Sequence, residues 1–340
     1  MSTNLPLFAS TAHQPLPLPP FPPPAPAFQP LPADVSLSSR AMLCALSISM
    51  WSARKHDPDV SEEIASLHNA ASDAGRYSKL LLPKKALEEI IKISGEARKE
   101  HCFMTLPWDD DGYRVLPADA YMDHRDKMRQ LSNRYDAAVN RFMDQIEDYV
   151  RDAKRRLGTL FRLDDYPGMS QEGPLMKLVR PNELRSKFAF ETQVRPLPDA
   201  NDFRVQLGND EKERVKKQIT ASVHASLQVA TRDLWQRLYE AVSHMSERLQ
   251  AYKVVDDKVE HPFRDTIVTN LIKLVDVLPK LNVAKDADLD RLTQQVRKSL
   301  LVDPEELRKS QSFRTDTAAA AASIANQMAG YMSGYSVSTK

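Results

Sequence analysis

Eight histidines, two cysteines and a run of three aspartates are the residues best suited to chemistry in this 340-residue chain. Asp109, Asp110 and Asp111 precede Gly112, and three carboxylates converging on one point would hold a hard cation. The run lacks the alternating spacing and distal glutamate of a calcium loop, and adjacent carboxylates do not all face one ion. A turn whose aspartates accept from nearby backbone amides is the simpler reading. His101 and His124 flank this loop, while His224 and His244 stand twenty residues apart on one helical pattern. No two histidines are spaced i, i+4, and HExxH is missing. Cys102 beside His101 has the composition of a nucleophile pair, but sequence neighbours on a helix point apart. Cys44 and Cys102 make neither a disulfide framework nor a zinc motif. P-loop, GxGxxG, GxSxG and CxxC patterns do not occur. The spacing therefore gives no catalytic residue, no cofactor site and no metal site.

Basic residues gather more suggestively. Arg155 and Arg156 close one long helical pattern, and Lys212, Lys216 and Lys217 open the next, with Arg185 and Lys187 between. If the two helices pair antiparallel, all seven meet at one tip that would grip phosphates. A helix C-terminus favours cations such as Arg155 and Arg156 on its own, and Asp152, Glu211 and Glu213 dilute the patch, so a solvated face is the plain alternative. A second group, Arg76, Lys79, Lys84, Lys85 and Arg98, reads as a salt-bridged surface. Trp108, Asp109, Tyr113 and Arg114 lie in a predicted loop over 105–116, where an aromatic between turn residues marks a partner contact.

The elements that must position these groups are mostly helical. Over 209–253 apolar residues recur at steps of three or four, from Val215 through Leu227, Leu234, Leu238 and Val242 to Leu249. The same pitch runs over 117–161, through Met128, Leu131, Tyr135, Val139, Phe142, Ile146 and Val150. Each rod is apolar on one side only and needs a covering partner. The simplest assembly pairs them as an antiparallel hairpin. Strands are predicted at 187–194 and 202–207 within a β insert at 163–208, with a third over 43–53, where Leu46, Ile48 and Met50 alternate with serines. Further helices are expected from an Asp59-to-Glu62 capping box to about 74, over 86–103, 263–278 and 286–301, and from Asp303 to about 328. The alanine run 318–322 is thin and should dock weakly. The fold class is mainly α (α+β): a long antiparallel helical hairpin, a small antiparallel β-sheet at its tip and additional packed helices. One elongated domain, 35–330, is bounded by a proline-rich tail over 1–34 and a flexible C-terminus over 331–340.

With 27% charged and 42% hydrophobic residues, 9 glycines and a net charge of +1, the composition suits a helix-rich chain rather than a strongly cationic nucleic-acid binder. No run reaches the ~20 apolar residues of a membrane span. No signal peptide is evident, so the expected location is cytoplasmic.

Several short stretches carry a resemblance. Ser49-Met-Trp-Ser-Ala-Arg-Lys55, Gly75-Arg-Tyr-Ser-Lys-Leu-Leu-Leu-Pro83, Thr105-Leu-Pro-Trp-Asp109, Asp165-Tyr-Pro167 and Asp202-Phe-Arg-Val205 are similar to an uncharacterised family encoded by bacteriophages and integrated bacterial elements. That resemblance implies a bacterial host cell and a neighbouring MoxR-type AAA+ ATPase or von Willebrand A-type domain protein as partner. It supplies no catalytic residues. Two functions follow as expectations: a non-enzymatic adaptor contacting a protein partner, or a nucleic-acid binder using the basic tip. An enzyme built on His101 and the Asp109–Asp111 loop is a third.

Overall fold

The computed structural model describes residues 37–108, 112–199, 208–255 and 258–333. The proline-rich tail, Asp109, the expected strand over 202–207 and the last residues of the C-terminus lie outside these.

β1 (Ala41–Ser49) is the first element to carry the expected alternation: Ser47 and Ser49 are exposed while Leu46 and Ile48 pack inward. β2 (Arg54–His56) leads to α1 (Pro58–Leu67), whose cap is Asp57 rather than Asp59. Pro58 then occupies the first helical turn, where its missing N–H costs nothing. This helix stops at Leu67, short of the expected 74. After β3 (Ser78–Leu80), α2 (Glu88–Met104) buries Ile90, Ile93, Ala97 and His101, whereas Ile91 is exposed. The predicted loop over 105–116 instead supplies two strands, β4 (Leu106–Pro107) and β5 (Arg114–Pro117).

α3 (Ala118–Leu157) is 40 residues long. Beyond it a hairpin missed in the sequence, β6 (Met169–Glu172) and β7 (Leu175–Leu178), precedes α4 (Pro181–Arg185) and the expected strand β8 (Ala189–Pro196). α5 (Asn209–Ala251) has 43 residues. A small hairpin of β9 (Lys253–Val255) and β10 (Lys258–Glu260) leads to α6 (Thr266–Leu281), which runs through Pro279 instead of stopping there. α7 (Ala287–Leu300) follows, and the last expected helix is split into α8 (Pro304–Lys309) and α9 (Gln311–Ser333). The main sheet is antiparallel with order β4-β5-β1-β8, so β1 is held on both sides. Among the described residues, the sheet is assembled from segments far apart in the chain.

The two rods do not fill each other's stripes. Met128, Leu131, Tyr135, Val139, Phe142, Ile146 and Val150 of α3 share a core with Ile90, Ile93 and Ala97 of α2, Leu46 and Ile48 of β1, and Phe188. Leu227, Leu234, Leu238, Val242 and Leu249 of α5 face another core, with Leu271, Leu274 and Leu278 of α6 and Ala321, Ile324 and Met328 of α9. The predicted helical hairpin is corrected accordingly: a one-sided stripe fixes how much surface must be covered, not which element covers it. The alanine run corrects a second expectation. α9 is the most extensive neighbour of α5, with Ala318 and Ala321 buried, because small side chains let two helices approach closely.

Candidate functional site

Cys44, His101 and His124, separated in sequence by up to eighty residues, meet inside the molecule. β1 contributes Cys44 from its middle, opposite Arg114 of β5 and Val194 of β8. α2 brings His101 on the face that also buries Ala97 and Met104, one turn to either side. α3 brings His124 between Ala120 and Met128, each one turn away. Their exposures are 0%, 5% and 1%. One ligating atom from each, a thiol sulfur and two imidazole nitrogens, lies within 4.8 Å of the others. Nδ1 of His101 and Nε2 of His124 are 3.0 Å apart, with the rings tilted by 60°. Nε2 of His101 is buried and finds no hydrogen-bond partner among the described residues.

Burial sets the protonation of all three. Removal from water pushes His101 and His124 down to about 4, and the neighbouring ring and Arg114 add repulsion at His101. The same loss of hydration pushes the Cys44 thiol up to about 11. At neutral pH the group is therefore two neutral imidazoles and a thiol. The cluster stands where the two cores meet: Ala120 belongs to one and Met128 to the other, so α3 crosses between them at His124.

The end of α2 is also tied down from outside. A helix C-terminus leaves carbonyls without intrahelical donors. Arg237 of α5 donates to the carbonyls of Cys102, Phe103 and Thr105 at 2.9–3.0 Å. Arg114 donates to Thr105 Oγ1 at 2.7 Å and to its carbonyl. Next to this junction an open groove of about 720 Å³ runs between α2, α5 and α6, with Phe103, Ala241, Ile267, Leu271 and Leu274 among its walls. A second concavity of about 640 Å³ shares Lys99, Phe103 and Asn270 with it and extends toward α3.

The expected contact residues are partly engaged within the molecule. Trp108 is half-buried against the α5 core. Tyr113 donates to Gln193 Oε1 at 3.2 Å under the guanidinium of Arg195, and Arg114 is occupied at Thr105. Of the seven basic tip residues, Arg155 pairs with Asp152, Lys216 with Glu213 and Arg185 with Asp136, and Arg156 donates to the Leu80 carbonyl. Lys187, Lys212 and Lys217 hold no ion pair among the described residues. Because the stripes of α3 and α5 face different cores, the pairing that was to gather these residues at one tip is not the arrangement found.

Lys79, expected on a basic surface, is instead 2% exposed. Its ammonium lies 3.1 Å from Asp57 and 2.8 Å from Asp165, and donates to the Leu160 carbonyl at 3.0 Å. Comparison with known proteins gives no match: no family model, curated protein or solved structure is similar to this chain.

Proposed function

We propose that the chain is a non-enzymatic interaction protein, an adaptor that receives an amphipathic helix of a protein partner in the groove between α2, α5 and α6. The observation that carries this reading is the groove's make-up. Its walls are largely apolar, from Phe103, Ala241, Ile267, Leu271 and Leu274, and Lys99 and Glu240 place both charge signs on its rim. Lys99, with Lys273 just beyond, holds no ion pair among the described residues and so is open to carboxylates on the incoming helix. An apolar stripe with acidic residues on the flank that meets Lys99 is the surface that fits this groove. Anchoring Arg237 on the carbonyls at the end of α2 favours a groove that is already formed, which lowers the ordering cost of binding.

The partner class follows the family resemblance: a MoxR-type AAA+ ATPase or a von Willebrand A-type domain protein encoded nearby. Co-expression with that neighbour, with a photo-crosslinking amino acid at Asn270, tests the reading. A stable complex crosslinked at Asn270 and weakened by Ala241→Arg is expected. Failure to form a complex, or a complex indifferent to both sites, overturns it.

A further inference from the structure

We infer that Cys44, His101 and His124 form a binding site for a single borderline-soft metal ion, with zinc the expected occupant, clamping the junction of the two cores. This inference stands apart from the adaptor reading and uses none of its residues.

The donor set is one thiolate and two imidazoles, which suits zinc or monovalent copper and does not suit magnesium or calcium. Geometry agrees. Zinc binds imidazole nitrogen at ~2.0–2.1 Å and thiolate at ~2.3 Å, so a tetrahedral centre sets its two nitrogens about 3.3 Å apart and nitrogen from sulfur about 3.6 Å apart. The imidazole nitrogens already stand at 3.0 Å, and the whole set lies within 4.8 Å. Side-chain rotations of a few tenths of an ångström to about one ångström would seat the ion. Nothing on the backbone has to move far, because three separate regular elements hold the three side chains.

A purely structural role explains the site less completely. A hydrogen bond between the two rings accounts for one nitrogen of each and does not account for the Cys44 thiol brought within 4.8 Å of them. An imidazole placed in a core for packing alone is a costly choice over leucine or methionine. Here two such rings and a thiol are buried together. The imidazoles are already in the neutral form that ligates. On binding, the Cys44 sulfur–hydrogen bond breaks, the sulfur keeps the electron pair and forms the sulfur–zinc bond, and one proton leaves to solvent. Three protein ligands leave the fourth position of a tetrahedral ion open to water or another donor.

The test uses the full chain, kept reduced, stripped with a chelator and then titrated with zinc against a chromophoric competitor. One equivalent is expected to bind, with release of about one proton in weakly buffered solution. Cys44→Ala and His124→Gln are each expected to weaken binding at least ~100-fold, since even outer-shell partners of a metal carry 10–100-fold. Cys102→Ser, which alters only the exposed thiol, is expected to bind as the parent does. Thermal unfolding separates a lost ligand from a lost fold: apo variants should melt near the apo parent, and zinc should raise the parent's midpoint but not theirs. Should the variants fail to fold, cobalt added to the parent decides the matter. A thiolate-to-cobalt charge-transfer band that survives Cys102→Ser supports the site, and its absence overturns it. Zinc uptake undiminished by Cys44→Ala, or no uptake by the parent, also overturns it.

Discussion

Replacing Lys79 with methionine tests the account of the α3 core most severely. The ammonium is enclosed by three oxygens: Asp57 Oδ2 at 3.1 Å, Asp165 Oδ2 at 2.8 Å and the Leu160 carbonyl at 3.0 Å. Methionine retains much of the stem's packing but leaves two carboxylates without their cation and one carbonyl without its donor. Breaking a buried ion pair from one side costs about 3–5 kcal/mol, an order above the loss of an exposed pair. Urea unfolding at pH 7 is therefore expected to show Lys79→Met destabilised by about 4 kcal/mol. The effect should depend on pH in a defined direction. Lys79 holds the Asp57 carboxyl below its ordinary 3.8, by hydrogen bonding first and against the opposing effect of burial. That stabilisation is complete above 3.8 and is lost as pH falls through the folded value. For Lys79, burial lowers its pKa but Asp165 and Asp57 more than compensate, so it lies above 10.5 and its share persists until pH rises past that folded value. In the variant the buried Asp57 carboxylate loses the ammonium that holds it charged and gains by protonation. The gap between parent and variant should be widest between the carboxylate and lysine ranges and should narrow as pH drops toward 4. A difference under ~1 kcal/mol at pH 7, or one unchanged on acidification, would refute a buried, charge-paired Lys79.

Four other substitutions probe separate parts of the molecule. Gly168 has φ +75, and a Cβ there would stand 2.2 Å from the Arg180 carbonyl oxygen; Gly168→Ala should cost at least ~2 kcal/mol and speed amide exchange in the β6–β7 hairpin. Asp286 caps α7 through the Asp288 and Leu289 amides and accepts from Trp235 Nε1 at 2.9 Å. Asp286→Ala should therefore cost about 2–4 kcal/mol in urea unfolding, from the lost cap and the stranded indole N–H, and should shift Trp235 fluorescence. Leu131→Ala and Leu238→Ala should each cost about 2–5 kcal/mol, and the double variant should equal their sum within ~0.5 kcal/mol because the residues belong to different cores. Strong coupling between them would argue for the hairpin instead.

How far the sequence could be read is clearest in the long helices. The 3.6-residue recurrence in α3 and α5 placed both within a few residues of where they lie. Period carries no address, though, so it could not say that α2 covers one stripe and α9 the other. β1 was legible because serine alternates with Leu46, Ile48 and Met50, whereas β6 and β7 pair residues without such contrast: Met169 faces Leu178 while Gln171 faces Met176. Lys79 looked like surface because charge is normally solvated, and its two carboxylates come from 22 and 86 positions away. The cluster of Cys44, His101 and His124 was hidden for the same reason, since three elements supply one residue each. A signal did exist. His101 sits four residues after Ala97 and three before Met104, and His124 sits four from both Ala120 and Met128. Both histidines thus occupy core positions of amphipathic helices, where a polar ring calls for a partner.

Zinc-edge X-ray absorption of the loaded protein is the most direct test of the metal site at the junction of the two cores. One sulfur at ~2.3 Å with two imidazole nitrogens at ~2.0–2.1 Å is the expected shell. A shell of oxygen and nitrogen alone, with no sulfur, would contradict it.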